Sequence, residues 1–416
     1  MVIIYNIVLI FLAIILSPVI AVAFYVQPKF RAGFKEKLGF YKYDNKGKKS
    51  TIFHAVSVGE TNAIKDLVKQ YRNLHPDEVV IVTTTTKTGQ EIAQKSFANI
   101  ANFVTYYPYD FFFSVLSFFK VFNPEKIIIA ETEIWPCFVS LAKAKGIKVY
   151  TVNGRISPKS FNGYNKIRLF IAPILNRYEK IFMQTVDDAE RLVKLGAKAD
   201  KTEIMGNLKF DISQNLNEGE IQKYKDELKT DKYKLFIAAS THKGEDEIAI
   251  DSFKALKVKH REAKLLLVPR HPQRYEEVSA LLNKCGLKWG KRSKNDNFDE
   301  KDIIMLDTMG ELSKLFSICY LAFIGGSFSQ TGGHNPLEAN IWNKPVISGP
   351  IVFNFKDVYK IVTDKKCAVI VKDEEELTKE LFSFYDDEEK YAEYCKNAQA
   401  VFEGNKGAIK FVLDRI

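Results

Sequence analysis

Hydrophobic positions fall into two regimes along the chain. From Val2 to Gln27 no side chain is charged, and Ile, Val, Leu, Ala and Phe dominate. Such a segment is long enough to cross a bilayer as a helix, which takes about 20 apolar residues. Pro18 predicts a kink within it. Beyond it, short apolar runs alternate with amphipathic stretches. Runs at Thr51–Val56, Val79–Thr84, Ile127–Ala130, Lys148–Val152 and Lys180–Gln184 predict strands. Helical spacing lies between them at Thr61–Tyr71, Gly89–Phe97 and Asp187–Leu195, with Gly196 as a stop. After a polar stretch (Ser213–Lys232) a second series predicts strands at Lys234–Ala239, Lys264–Pro269, Ile303–Leu306, Tyr320–Ile324, Pro345–Ser348 and Ala368–Val371. The strands are near-continuously apolar, as in sheets covered by helices on both faces. Two βαβ series split by a hydrophilic linker predict an α/β protein of two doubly wound domains, and 416 residues suit two cores. In such sheets ligands bind beyond the carboxyl ends of the strands.

Charge refines this picture. Lys and Arg number 61 against 51 Asp and Glu, a net charge of +10. An anionic surface is the expected partner. Nucleic acid is not expected, since zinc-finger spacing, RNA-binding aromatic motifs and helix-turn-helix signals are missing. Lys29, Arg31, Lys35 and Lys37 follow the apolar segment directly, whereas its amino end has no basic side chain. The positive-inside rule then leaves the rest of the chain cytoplasmic. A cleaved signal peptide is the competing reading, because Ala21-Val-Ala23 resembles a cleavage site. The missing basic n-region and the length of the apolar stretch favour a retained anchor over residues 1–28. The five cysteines are scattered and odd in number, as in a reducing compartment.

The polar residues that could carry chemistry sit at strand ends. His54-Ala-Val-Ser-Val-Gly-Glu60 runs from a strand into a helix, with Ser57 as a candidate cap, Gly59 open to close approach and Glu60 near the positive helix end. Glu60 is either a proton acceptor for a substrate hydroxyl or a carboxylate that merely complements the dipole. Thr83-Thr-Thr-Thr-Lys-Thr-Gly89 reads as a capped turn. Ile127-Ile-Ile-Ala-Glu-Thr-Glu-Ile-Trp-Pro136 places Glu131 and Glu133 after a buried strand, where a carboxylate is costly unless paired or functional. Arg155, in Asn153-Gly-Arg-Ile-Ser157, binds an anion or pairs with one of those glutamates. The aromatic run from Tyr106 to Phe119 is either a core helix or a greasy surface for a lipid.

In the second half, Lys209, the Ala239-Ser-Thr-His-Lys-Gly-Glu245 turn, Arg270 and His271, and Thr308-Met-Gly-Glu-Leu312 precede the richest segment. There, Tyr320–Ile324 breaks on Gly325-Gly326 and runs through Ser327, Gly332, Gly333 and His334 to Asn335-Pro-Leu-Glu338. With Asn335 as cap and Pro336 as first helical residue, this strand, glycine turn and helix start predict an anion site. The spacing matches neither a dinucleotide fingerprint nor a P-loop. Four polar turns after four strands of one sheet together suggest a nucleotide pocket, with Arg270 and Lys209 facing phosphate and Glu338 facing ribose hydroxyls. Metal-ligand clusters and a nucleophile elbow are missing, so no metal or other cofactor is expected.

Seven segments in order carry a resemblance. They are His54-Ala-x-Ser-x-Gly-Glu60, Glu131-Thr-Glu-Ile-Trp-Pro136, Asn153-Gly-Arg-Ile-Ser157, Gly206-Asn-Leu-Lys209, Pro269-Arg-His-Pro272, Met309-Gly-Glu-Leu312 and Gly325-Gly-Ser-x-x-x-x-Gly-Gly-His-Asn-Pro-Leu-Glu338. The chain resembles the 3-deoxy-D-manno-octulosonic acid (Kdo) transferases of lipopolysaccharide synthesis. That resemblance implies a GT-B architecture, two Rossmann-like domains facing a cleft: an acceptor domain over 29–212, a CMP-sugar domain over 213–397, and a last helix over 398–416 packing back on the first. It implies inverting, metal-independent transfer of Kdo from CMP-Kdo to lipid IVA at the inner membrane. It also implies Glu60 as general base, supported by Glu131 and Lys209. Pro269, Arg270, Gly310, Glu311, Leu312, Asn335, Pro336, Leu337 and Glu338 would contact CMP. Ser57, Gly59, Arg155, Gly325, Gly326, Ser327 and His334 are further candidate contacts. Rival readings are another GT-B glycosyltransferase or a UDP-sugar epimerase, and a membrane-tethered two-lobe binding protein without turnover. The number of Kdo residues transferred and the oligomeric state are not legible in the chain.

Overall fold

The computed structural model describes residues 2–27, 31–212 and 216–416. Met1 and Pro28 of the expected anchor, Lys29 of the basic run and Ser213 at the start of the expected linker lie outside the described residues. The chain divides into two compact units: residues up to Asp211 together with Asn405–Ile416, and Ile212–Gly404.

The first unit is a seven-stranded parallel sheet of β1 (Ser50–Ala55), β2 (Val79–Thr84), β3 (Phe103–Tyr106), β4 (Pro124–Ala130), β5 (Lys148–Gly154), β6 (Lys180–Met183) and β7 (Thr202–Ile204). Its spatial order is β3-β2-β1-β4-β5-β6-β7. All six residues of β1 and of β2 are buried, because helices cover both faces. One core layer holds Ile52, Phe118, Phe138 and Ile174; the opposite layer holds Phe53, Leu67, Tyr71 and Phe182. The strand order reverses direction between β1 and β4, the crevice where ligands bind in such sheets.

The second unit repeats the plan with β8 (Lys234–Thr241), β9 (Ala263–Pro269), β10 (Trp289–Lys291), β11 (Ile303–Met305), β12 (Leu321–Ile324), β13 (Val346–Ser348) and β14 (Ala368–Ile370). The order is β10-β11-β9-β8-β12-β13-β14, all parallel, with the reversal between β8 and β12. The hydrophilic stretch read as a linker carries a helix, Glu218–Leu228, opened by a capping box between Asn217 and Glu220.

Two features differ from the sequence expectation. The apolar amino-terminal segment is not one membrane helix: it forms Val2–Ile15 and Ser17–Val26, bent by 57°, and no single described helix is long and apolar enough to span a bilayer. Pro18 is the physical reason. Its ring supplies no N–H and crowds the preceding turn, and the Ser17 hydroxyl donates to the Ile14 carbonyl instead, at 2.7 Å. The second difference is at the carboxyl end. Residues 398–404 stay in the helix Glu388–Glu403 and its cap, within the second unit, and only Asn405–Ile416 returns to the first. Ala408, Ile409 and Val412 bury into the core layer around Phe53 and Leu67. Asp211 caps this returning helix, accepting from the Gly407 and Ile409 amides at 2.9 and 2.6 Å.

Candidate active site

In the first unit, β1 ends at Ala55 and the chain turns into the helix Val58–Ala63 with Ser57 as cap. Glu60, in the first turn of that helix, folds its carboxylate back: Oε2 accepts the Val56 amide at 2.7 Å and Oε1 the Ser57 hydroxyl at 2.8 Å. It is 9% exposed. Burial raises its pKa, the Val56 amide opposes this, and Glu131 raises it further, with Lys209 pulling the other way. A Cβ at Gly59 would meet only the Ser57 hydroxyl, at 3.9 Å, so the approach over this turn is open.

Glu131 and Glu133 follow the neighbouring strand β4, across the reversal point. Glu131 adopts φ 58°, a left-handed backbone that costs a non-glycine residue about 1 kcal/mol or more. Its amide bonds the Val152 carbonyl at 2.8 Å, and its carboxylate pairs with Arg155 Nε at 3.0 Å. The Arg155 reading as an ion-pair partner of Glu131 therefore has a geometric basis. Glu133 is pushed up to about 7 by burial and by the charges of Glu60 and Glu131. Three carboxylates thus share one strand edge. Glu131, Glu133 and Arg155 line a cleft of about 520 Å³ with Gln184, Asp188 and Arg191.

Lys209 sits in a single 3₁₀ turn whose amide bonds the Asn207 side chain at 3.0 Å. His54, at the head of the first motif, is fully buried, donates or accepts at Thr83 Oγ1 (3.0 Å) and stacks on Tyr107. Burial drives its pKa down to about 3, so it is a neutral core residue.

The aromatic run divides. Phe118, Phe119 and Phe122 are core, whereas Tyr109, Phe112 and Phe113 are exposed. Asp110 within it is a residue whose role the sequence did not disclose. It accepts the Cys137 and Phe138 amides at 2.9 and 2.7 Å and so caps the helix Pro136–Ala144 that ends the glutamate loop. Burial pushes Asp110 up to about 6 against those two bonds and a third from Tyr5. The first apolar helix is thereby tied to the loop carrying Glu131 and Glu133, and Asn6 accepts the Phe112 amide beside it at 2.8 Å.

In the second unit the glycine turn after β12 is not the vacant anion site its pattern predicts. The amides of Gly326, Ser327 and Phe328 donate to the Glu245 carboxylate at 2.7, 2.8 and 2.8 Å, and His242 adds a fourth at 2.9 Å. Glu245, 1% exposed, fills the nest internally. A Cβ on Gly325 would stand 2.7 Å from the Ser240 carbonyl oxygen, which explains the glycine. The helix start is also weaker than expected. Asn335 Oδ1 accepts the Leu337 amide at 3.1 Å, but Pro336 is the capping position and the helix is one turn, Leu337–Asn340. Ser327 is fully buried, its hydroxyl donating to Ile324 and accepting from Gly349. It faces the protein rather than a ligand.

Cationic and imidazole groups gather at the same edge. Arg270 follows β9 with its amide on the Thr241 carbonyl at 3.0 Å. Its charge bears on both Glu338 and His334. Glu338 stays open to solvent, yet the atoms crowding its carboxyl raise its pKa, with Arg270 opposing. Pro269 closes β9. After β11, Gly310 takes φ 83° with open space where a Cβ would go, and Leu312 begins the next short helix. Glu311 is held by Arg292 at 3.2 Å and by the Thr308 hydroxyl, so it builds this turn from within. Among the described residues no group of three or more His, Cys, Asp or Glu is placed to hold a metal ion.

The paired doubly wound units place the chain first in a fold class. A putative UDP-N-acetylglucosamine 2-epimerase from Listeria monocytogenes has the same fold, with a TM-score of 0.50 and 12% identity over 88% of this chain and 95% of that one. Residues 32–212 match the family model of the 3-deoxy-D-manno-octulosonic-acid transferases (kdotransferase). A 3-deoxy-D-manno-octulosonic acid transferase of Haemophilus influenzae is 34% identical, over 93% of this chain and 91% of that protein. One from Bordetella pertussis is 33% identical, over 73% and 72%. The chain belongs to the 3-deoxy-D-manno-octulosonic acid transferase family and is a glycosyltransferase. The epimerase rival shares its fold alone.

Proposed function

We propose that the protein transfers Kdo from CMP-Kdo to a hydroxyl of lipid IVA, with inversion and without a metal, in a GT-B arrangement. The observation that carries the reading is the Glu60 carboxylate at the reversal point of the first sheet, buried, raised in pKa and free of any ion pair among the described residues. Glu60 accepts the proton of the acceptor hydroxyl, that oxygen bonds the anomeric carbon, and the bond to the CMP phosphate breaks. A raised pKa makes Glu60 a better base. Glu131 and Lys209 tune it electrostatically. The second unit takes the nucleotide, with Arg270 at the phosphate and Glu338 at the ribose. A single phosphate leaving group needs less cationic help than a diphosphate, which supports the metal-free reading.

The acceptor is a lipid, and the amino-terminal region suits one. Most side chains of Val2–Ile15 and Ser17–Val26 are apolar and exposed, and Phe112, Phe113 and Leu169 (92% exposed) join them. Tyr5 packs on Phe170 and Asn6 on the Phe112 amide, so these patches adjoin. A bent apolar pair lying in an anionic leaflet would bring the first unit to its substrate. The test is mass spectrometry of lipid IVA incubated with the protein, in-situ CMP-Kdo and EDTA. Product at one or more added Kdo masses is expected; no product from folded, lipid-reconstituted protein overturns the reading.

A further inference from the structure

The reversal point of the second sheet is flanked by histidines where that of the first is flanked by glutamates. His242 follows β8 and His334 lies in the loop after β12. Their Nε2 atoms stand 3.0 Å apart, with the rings nearly parallel at 12° and centroids 5.3 Å apart. His271, beyond β9, meets His242 edge-on at 5.4 Å. Gly326, at φ 69°, lies under both rings: a Cβ there would stand 3.0 Å from His334 and 3.5 Å from His242. The pair thus closes over the turn whose amides Glu245 occupies.

A bond between two Nε2 atoms requires one ring to donate and the other to accept. The two rings cannot both carry a proton on Nε2. The pair can still take one more proton, on Nδ1 of the donating ring, without losing the bond. Charged and titratable groups face it from every side: Arg270 and Arg274 as cations, His271 as a third imidazole, and Glu245 as the anion nearest His242. Arg274 is tied to Asp246, and Glu245 is spent on four amides. The Tyr359 hydroxyl donates to the His334 carbonyl at 3.2 Å. Burial lowers both rings, His334 to about 4 with Arg270 adding to it, which favours the neutral form of the unliganded pair. An arriving anion offsets the arginine field and so shifts the pair toward its charged form.

We propose that His242 and His334 form a one-proton anion subsite, in which binding of the phosphate or carboxylate of a sugar nucleotide is coupled to uptake of one proton from solvent by the hydrogen-bonded pair. This rests on the reading of the second unit as the nucleotide-sugar unit.

The experiment is isothermal titration calorimetry of the full chain at pH 7.5 with CMP, and separately with free Kdo, in buffers of differing ionisation enthalpy. His242→Gln and His334→Gln are titrated in parallel. CMP's own phosphate proton is common to all three proteins, so the difference counts the pair's proton. The wild type is expected to take up as much as one proton more than either variant. Its CMP affinity should fall up to about tenfold per pH unit more steeply above neutrality. Uptake with CMP assigns the subsite to phosphate, and uptake with Kdo alone assigns it to carboxylate. ¹⁵N spectra of the wild-type rings give a reading independent of the variants, with one ring turning from neutral imidazole to imidazolium on binding. Equal proton uptake in all three proteins, with no ring changing state, overturns the proposal. Failure of folded wild type to bind CMP defeats the donor reading itself.

Discussion

Each unit places a glutamate just after its first strand, at the start of the following helix, and the two are held in opposite ways. Glu245 sits under four backbone amides that converge from two loops, and so completes a structure. Glu60 accepts one amide and one hydroxyl, and burial together with the neighbouring Glu131 carboxylate makes its ionised form less comfortable. A carboxylate whose lone pairs are taken by four amides has little left to accept a substrate proton. One that is buried, thinly bonded and repelled is a better base at the expense of local stability. The same corner of a doubly wound sheet is therefore a structural clasp in one unit and, under the function proposed above, the reactive edge in the other.

The contrast can be broken from either side. Glu245→Ala leaves four loop amides without their partner, at about 1 kcal/mol each where water does not replace it. We expect a loss of about 3 kcal/mol in the second unit, seen as a fall of about 6–12 °C in its melting transition. A fall under about 2 °C would refute the clasp. A smaller effect is expected at Glu133, whose folded pKa of about 7 lies above its ordinary value of 4.5. The folded state then binds more protons between these values. Stability of the first unit should be highest below pH 4.5 from this group, and decline as pH rises through 7. The decline should be about 1 kcal/mol once solvent screening is allowed for, and Glu133→Gln should remove it from urea titrations across that range. Comparable or smaller is the cap on the returning helix: Asp211→Ala should cost about 1 kcal/mol and raise hydrogen exchange in Ala408–Leu413 selectively.

Much of this was legible in the chain. Strands such as Val79–Thr84 and Ile127–Ala130 were visible because burial on both faces writes them as continuous apolar runs. β3, β7 and β10 were not, being edge or near-edge strands of three or four residues with little apolar signal. The helix expected over Thr61–Tyr71 is two, Val58–Ala63 and Lys65–Leu74, because periodicity does not register a break at Ile64. At the site, Glu60, Glu131, Arg155 and Arg270 were legible because polar residues ending apolar strands stand out. Glu245, His242 and Asp110 were not, since their meaning lies in partners 27 to 92 residues away. The glycine turn misled for the same reason: its spacing announced anion binding without revealing that the anion belongs to the chain.

The most direct test of the account is Glu60→Gln in the Kdo transfer assay, with CMP affinity and melting temperature measured on the same preparation. The account predicts a loss of about 10²–10⁴-fold in kcat, unchanged CMP affinity, and a melting temperature equal to or above wild type because a repelled buried charge is gone. Retention of activity within about tenfold, or a loss matched by unfolding of the first unit, would contradict Glu60 as the base.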